Sequence, residues 1–187
     1  MKKIWLSSLA LAAALALTGC QSSSIAEVDL PTMGAPIQLA DQEDGYWLIY
    51  FGFTSCPDVC PTTMATLSSA MRMLPQDMAD KVQVLLVSVD TERDELAAVN
   101  DYVQYFNPAF MASVPETETL DQLVSHFGAF YRKVPLEDSA MGYTMDHSAA
   151  LYLSNGEGDH LATLLEGYNP KALAERIERE ITKQNGA

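Results

Sequence analysis

The chain has 187 residues, 48% of them hydrophobic, with 25 acidic residues against 11 basic ones and only three cysteines. That length suits one globular domain with a short extension, and nine prolines and ten glycines exclude a collagen-like or low-complexity chain. A net charge of −14 argues against nucleic acid as a partner, because phosphate binding needs clustered Lys and Arg, and three cysteines are too few for a disulfide-scaffolded miniprotein.

In chain order, Met1-Lys2-Lys3 is a basic start, followed by an apolar run from Ile4 to Leu17 broken only by Ser7 and Ser8. These are the n-region and h-region of an export signal, and the run is shorter than the roughly 20 residues that span a bilayer as a helix. It ends in Leu17-Thr18-Gly19-Cys20, which resembles the lipobox of a bacterial lipoprotein. Residues 1–19 are therefore expected to be removed, with Cys20 lipidated and 20–30 forming a tether that starts with Gln21 and three serines. Loss of Lys2 and Lys3 takes the net charge to −16. The chain is placed in the bacterial cell envelope, held on the periplasmic side of the inner or outer membrane if the source is Gram-negative.

Residues 31–187 are predicted to be one α/β domain. Tyr46 to Phe51 is aromatic and apolar on both parities, as in a strand buried on both faces. Met64, Leu67, Met71 and Leu74 mark a helix over 61–74, and Val82 to Val89 is a second buried strand. Leu96, Val99, Val103 and Phe106 mark a second helix, ended by Asn107-Pro108. Leu120, Leu123, Val124, Phe127 and Tyr131 mark a third. Strands at 149–153 and 161–165 flank the turn-rich 154–159 and predict an antiparallel hairpin, and Leu173, Ile177 and Ile181 stripe a closing helix. The order β-α-β-α-α-β-β-α, with a parallel first pair, is that of a thioredoxin-like three-layer fold: a mixed sheet with flanking helices.

The chemistry is expected where the first strand meets its helix. Phe53-Thr54-Ser55-Cys56-Pro57-Asp58-Val59-Cys60-Pro61 joins them at the carboxyl edge of the sheet, where open α/β sheets gather ligands. Pro61 suits the first helical position, which puts Cys60 near the N-cap, where the helix dipole favours a thiolate. Cys56 lies four residues earlier, close enough for the two sulfurs to bond to each other or to share a metal ion. A purely structural disulfide is the weaker reading, since so short a loop removes little entropy from the unfolded chain. Asp58 reads as a turn former. His126 falls off the apolar stripe of its helix, and His160 sits beside the hairpin turn. Met64 and Met71 match a core face, whereas Met141 and Met145, near His147, are candidates for an extra thioether ligand.

The stretch Gly52 to Thr63 closely resembles the signature of the Sco/SenC family of copper-binding, thioredoxin-like assembly proteins. Four further segments agree in order: Leu86-Val87-Ser88-Val89-Asp90 with Glu92-Arg93-Asp94, Tyr105 to Phe110, Phe127 to Val134, and Tyr143 to Ser148. The resemblance implies a Cu(I)/Cu(II) site on Cys56, Cys60 and His147, and soft thiolates with an imidazole suit that ion. His147 stands where thioredoxins carry a cis-proline, at the start of a strand antiparallel to the first. Asp90 is expected at the same edge, as an electrostatic tuner or a cap of the following helix, and Asp146 as a partner orienting His147. Two departures stand out: Thr91 replaces a usual proline, and 38–45 reaches the first strand early, so the N-terminal hairpin is expected to be abbreviated.

What the resemblance implies functionally is a metallochaperone for the copper centre of cytochrome c oxidase. Its partner would be the copper-bearing oxidase subunit or another copper chaperone, with the membrane reached through the lipid anchor. The alternative is a thiol–disulfide reductase in which Cys56 and Cys60 keep the oxidase's copper-ligand cysteines reduced, Cys56 being the attacking thiol by analogy with thioredoxins.

Overall fold

A computed structural model describes residues 24–165 and 169–186. The signal segment and Cys20 lie outside the described residues. The fold centres on a five-stranded sheet in the order β3-β2-β1-β6-β7. Its strands are β1 (Tyr46–Gly52), β2 (Val82–Ser88), β3 (Met111–Ser113), β6 (Leu151–Asn155) and β7 (His160–Leu164). β1 is parallel to β2, and β2 to β3, while β6 runs antiparallel to both β1 and β7. A separate two-stranded antiparallel sheet is made of β4 (Tyr131–Pro135) and β5 (Tyr143–His147).

Every residue of β1 is buried, because both faces of the sheet are covered. Alternation along the strand sends one set of side chains to each face. Tyr46 reaches Asn185 of α5 (Pro170–Asn185) through its hydroxyl, and Tyr50 reaches Cys60 of α1 (Val59–Met71). Trp47 donates its indole N–H to the carbonyl of Leu39 at 2.9 Å, and Phe51 meets Phe127 of α4 (Thr117–Phe127). α1 also contacts α5 and α3 (Leu96–Phe106), giving helix, sheet and helix layers around one core. The short α2 (Gln76–Ala79) leads into β2.

Several boundaries differ from expectation. α1 begins at Val59, so Cys60 and Pro61 are its second and third residues; proline is tolerated there because first-turn N–H groups have no intrahelical acceptor. α4 stops at Phe127, where Gly128 takes the left-handed conformation at φ 66° as a C-terminal cap, and Tyr131 instead opens β4. The three-residue β3 and the β4–β5 hairpin were absent from the sequence reading. The abbreviated N-terminal hairpin is reduced to a single antiparallel bridge between Leu30 and Ile37.

Candidate metal centre

Three elements converge at the carboxyl end of β1. The first turn of α1 supplies Cys60, the loop before it supplies Cys56, and the last residue of β5 supplies His147. Their ligating atoms all lie within 4.8 Å of one another. Cys60 is wholly buried, whereas Cys56 and His147 are half-buried. Both cysteines are free thiols. Two consecutive turns make the approach possible: Cys56 N–H donates to the Phe53 carbonyl, and Cys60 N–H donates to Cys56 Sγ at 3.4 Å.

The imidazole is oriented by the backbone. Nδ1 lies 3.0 Å from the Ser148 carbonyl, which can only accept, so Nδ1 carries a hydrogen. Nε2 is directed at the sulfurs, 3.5 Å from Cys60 Sγ. The ring stands edge-on to Phe53 and Tyr50, with centroids 5.7 and 6.0 Å away. A histidine held through Nδ1 in this way presents Nε2 to a metal ion.

The two sulfurs are unequal. The Cys60 thiol donates to Cys56 and is the main reason the Cys56 thiol is pushed down to about 3; His147 and the Cys60 and Asp58 amides add to this against the cost of burial. Cys60 is pushed upward, first by that same interaction and then by burial. One thiolate is therefore shared by the pair and resides on Cys56. The expectation that the helix terminus would favour a thiolate on Cys60 is not met, because its sulfur is the buried proton donor. Tyr50, whose own ionisation is pushed up chiefly by burial, donates its hydroxyl to Cys60 Sγ at 3.5 Å. Gly52 keeps this packing possible: a Cβ there would lie 2.8 Å from the Tyr50 ring and 3.2 Å from Cys60 Sγ.

Asp94 holds the cysteine loop and was not singled out by the sequence. It is 6% exposed, and its carboxylate accepts from Thr54 N–H at 3.2 Å, Thr54 Oγ1 at 2.5 Å and Ser88 Oγ at 2.6 Å. The loop two residues before Cys56 is thereby tied to the end of β2. The one signal was its place in the Glu92-Arg93-Asp94 segment.

Asp90 is buried at the same edge but does not cap α3, whose N-cap is Glu95. It accepts from the Tyr143 hydroxyl and pairs with Arg93. Asp146 faces away from His147, as strand alternation demands of neighbours, and forms an ion pair with Arg132 across the hairpin. Met145 is buried on β5, while Met141 is exposed at the hairpin turn. His126 bonds the Gly158 carbonyl and His160 meets Thr163, so neither belongs to the site.

Two sulfurs and an imidazole nitrogen, Cys60 buried and Cys56 and His147 half-buried, form a soft, three-donor set that fits copper better than a hard cation. The SCO1/SenC family model matches residues 30–182. An SCO2-like protein of Rickettsia conorii is 32% identical over 133 residues, covering 71% of this chain and 64% of its own length. The mitochondrial SCO2 homolog of Mus musculus is 34% identical over 149 residues, covering 79% of this chain and 58% of its own. This chain thus spans less than two thirds of either relative. Among solved structures, copper-bound ScoI of Bradyrhizobium japonicum superposes with a TM-score of 0.68 at 31% identity, covering 79% of this chain and 92% of that one.

Proposed function

This chain belongs to the SCO1/SenC family, and from that premise we propose that it holds one copper ion on Cys56, Cys60 and His147 and hands it on during assembly of cytochrome c oxidase. The observation that carries the reading is the gathering of two sulfurs and an imidazole nitrogen within 4.8 Å. Thiolates favour Cu(I), and the imidazole extends the site to Cu(II). A three-donor, half-open site suits transfer, because the recipient's ligand can join before the donor's leave. The recipient is the copper-bearing subunit of the oxidase or another copper chaperone. The domain works in the cell envelope, tethered through a lipid on Cys20.

Anaerobic titration of the reduced domain with Cu(I) and Cu(II) tests this. Wild type binds one equivalent; Cys56→Ser and Cys60→Ser lose both ions, and His147→Ala loses chiefly Cu(II). Absence of a one-equivalent complex in the wild type refutes the reading. Metabolic labelling with a fatty acid, lost in Cys20→Ala, tests the tether.

The polarised cysteine pair favours a second reading, thiol–disulfide reduction of the recipient's ligand cysteines. The Cys56 thiolate attacks the disulfide, one target sulfur leaves as a thiol, and Cys60 then displaces the second while forming Cys56–Cys60. His147→Ala separates the two: oxidase assembly lost in that variant indicates copper handling, and assembly retained indicates reduction.

A further inference from the structure

The strand that presents His147 belongs to a sheet of its own. Among the described residues β4 and β5 pair only with each other, and no ladder of backbone hydrogen bonds between described residues fixes them to the five-stranded sheet. What holds β5 is its inward face, on which alternate residues Tyr143, Met145 and His147 fall. Met145 is a buried apolar plug, 9% exposed. Tyr143, four residues from His147, enters a polar clasp at the end of β2.

The centre of that clasp is Asp90, 2% exposed. One carboxylate oxygen accepts the Tyr143 hydroxyl at 2.8 Å and the other accepts Arg93 Nε at 2.6 Å. Arg93 then turns back onto the hairpin. Its Nη1 donates to the Tyr143 carbonyl at 3.0 Å and the Met141 carbonyl at 3.4 Å, and its guanidinium carbon lies 3.7 Å from the centre of the Tyr143 ring. Lys133, from the opposite strand, lies 3.9 Å from the same ring centre and pairs with Glu92 at 2.5 Å. The turn between β2 and α3 thus grips both strands of the hairpin through charge-assisted hydrogen bonds and cation–π contacts.

We propose that the Asp90–Arg93–Tyr143 clasp positions His147: closed, it holds the imidazole against the two cysteines, and released, it leaves a bound ion with the sulfurs alone. The clasp side chains reach the site through β5. The inference rests on the copper reading for its consequence and on the contacts of the hairpin for its cause. It also accounts for the burial of Asp90, Arg93 being its counter-charge and Tyr143 its remaining donor.

The test compares Asp90→Asn, Tyr143→Phe and Tyr143→Leu in the full chain, each alone and combined with His147→Ala. In metal-free protein, amide exchange in 131–135 and 143–147 quickens at least tenfold for Asp90→Asn and Tyr143→Leu, and less for Tyr143→Phe, which keeps the ring. Exchange in β1 and β2 stays unchanged. With copper, Cu(II) affinity falls at least tenfold in Asp90→Asn and Tyr143→Leu, Cu(I) affinity changes less than threefold, and neither variant lowers Cu(II) affinity further once His147 is alanine. Equal exchange in hairpin and core, an unchanged Cu(II) affinity, or a loss that persists in the His147→Ala background overturns the proposal. Wild-type protein that binds no copper overturns the copper reading instead, and the exchange measurement still decides whether the clasp holds the hairpin.

Discussion

Replacing Asp94 by asparagine is the most direct test of how the cysteine loop is held. The carboxylate gathers three donors, Thr54 N–H, Thr54 Oγ1–H and Ser88 Oγ–H, inside a region where Ser88 is fully buried. An amide keeps one acceptor oxygen and places an NH₂ where the second stood. Ser88 Oγ already accepts the Asp90 N–H at 3.1 Å, so turning to accept the new donor strands its own hydrogen. Hydrogen bonds to a charged acceptor contribute about 1.5–3 kcal/mol against about 1 kcal/mol for neutral ones, and an unsatisfied buried donor costs about 1–3 kcal/mol. Losing one bond and the charge assistance of the others therefore costs about 2–4 kcal/mol, tolerable for a domain of ordinary stability. Urea unfolding of the reduced, metal-free protein should show that loss with an unchanged m-value, and the Thr54 amide should exchange faster than those of β2. A loss below about 0.5 kcal/mol, or an unchanged Thr54 amide, would refute the assignment of Asp94 as the anchor of the loop.

Four other perturbations have definite expected outcomes. Gly52→Ala drives a methyl into the Tyr50 ring and toward Cys60 Sγ, so thermal unfolding should fall by the equivalent of about 1–3 kcal/mol and closure of the Cys56–Cys60 disulfide should slow. With the Cys56 thiol pushed down to about 3, its alkylation by iodoacetamide should be nearly flat from pH 5 to pH 8, whereas an ordinary thiol speeds up about tenfold per unit. Because the folded value lies below the unfolded one, the Cys56 contribution to stability is present above the unfolded value and is lost as pH falls toward about 3; a Cys56→Ser variant should show a flatter acid limb. At Gly128, φ is 66° and a Cβ would meet nothing within 4 Å, so Gly128→Ala should cost about 1 kcal/mol through backbone conformation alone, read as a small drop in Tm.

The site's ligands were legible because their signals are local or carried by contiguous motifs. β1 reads as a strand from six successive apolar residues, and the two cysteines follow it within a single loop. The β4–β5 hairpin was not legible, because Arg132, Lys133 and Pro135 are exposed and β4 has no apolar alternation. It is held by Tyr143 and Arg93, fifty residues apart, and no window of sequence contains both. Tyr131 continued the stripe of α4 from Phe127 by helical spacing, but Gly128 ends that helix. Asp94 resembles the acid that precedes many helices, yet its carboxylate reaches forty residues back to Thr54. Asp146 was adjacent to His147 in sequence, and in a strand adjacency places it on the opposite face.

The inequality of the two cysteines bears on how the proposed functions can be separated. Cys56 is half-exposed and already a thiolate, so an arriving copper ion or disulfide meets it first with no proton to displace. Cys60 is buried beneath Tyr50 and holds its proton, so completing either reaction requires that proton to leave. Copper loading and disulfide resolution therefore share both an order of events and a proton-releasing second step, and both should quicken as pH rises. Substituting either cysteine disables both reactions and cannot tell them apart. In sulfur exchange His147 only adds to the lowering of the Cys56 thiol, behind the larger effect of Cys60, while its Nε2 is the site's nitrogen donor. Discrimination between copper transfer and reduction thus falls on the imidazole, and on the hairpin that carries it.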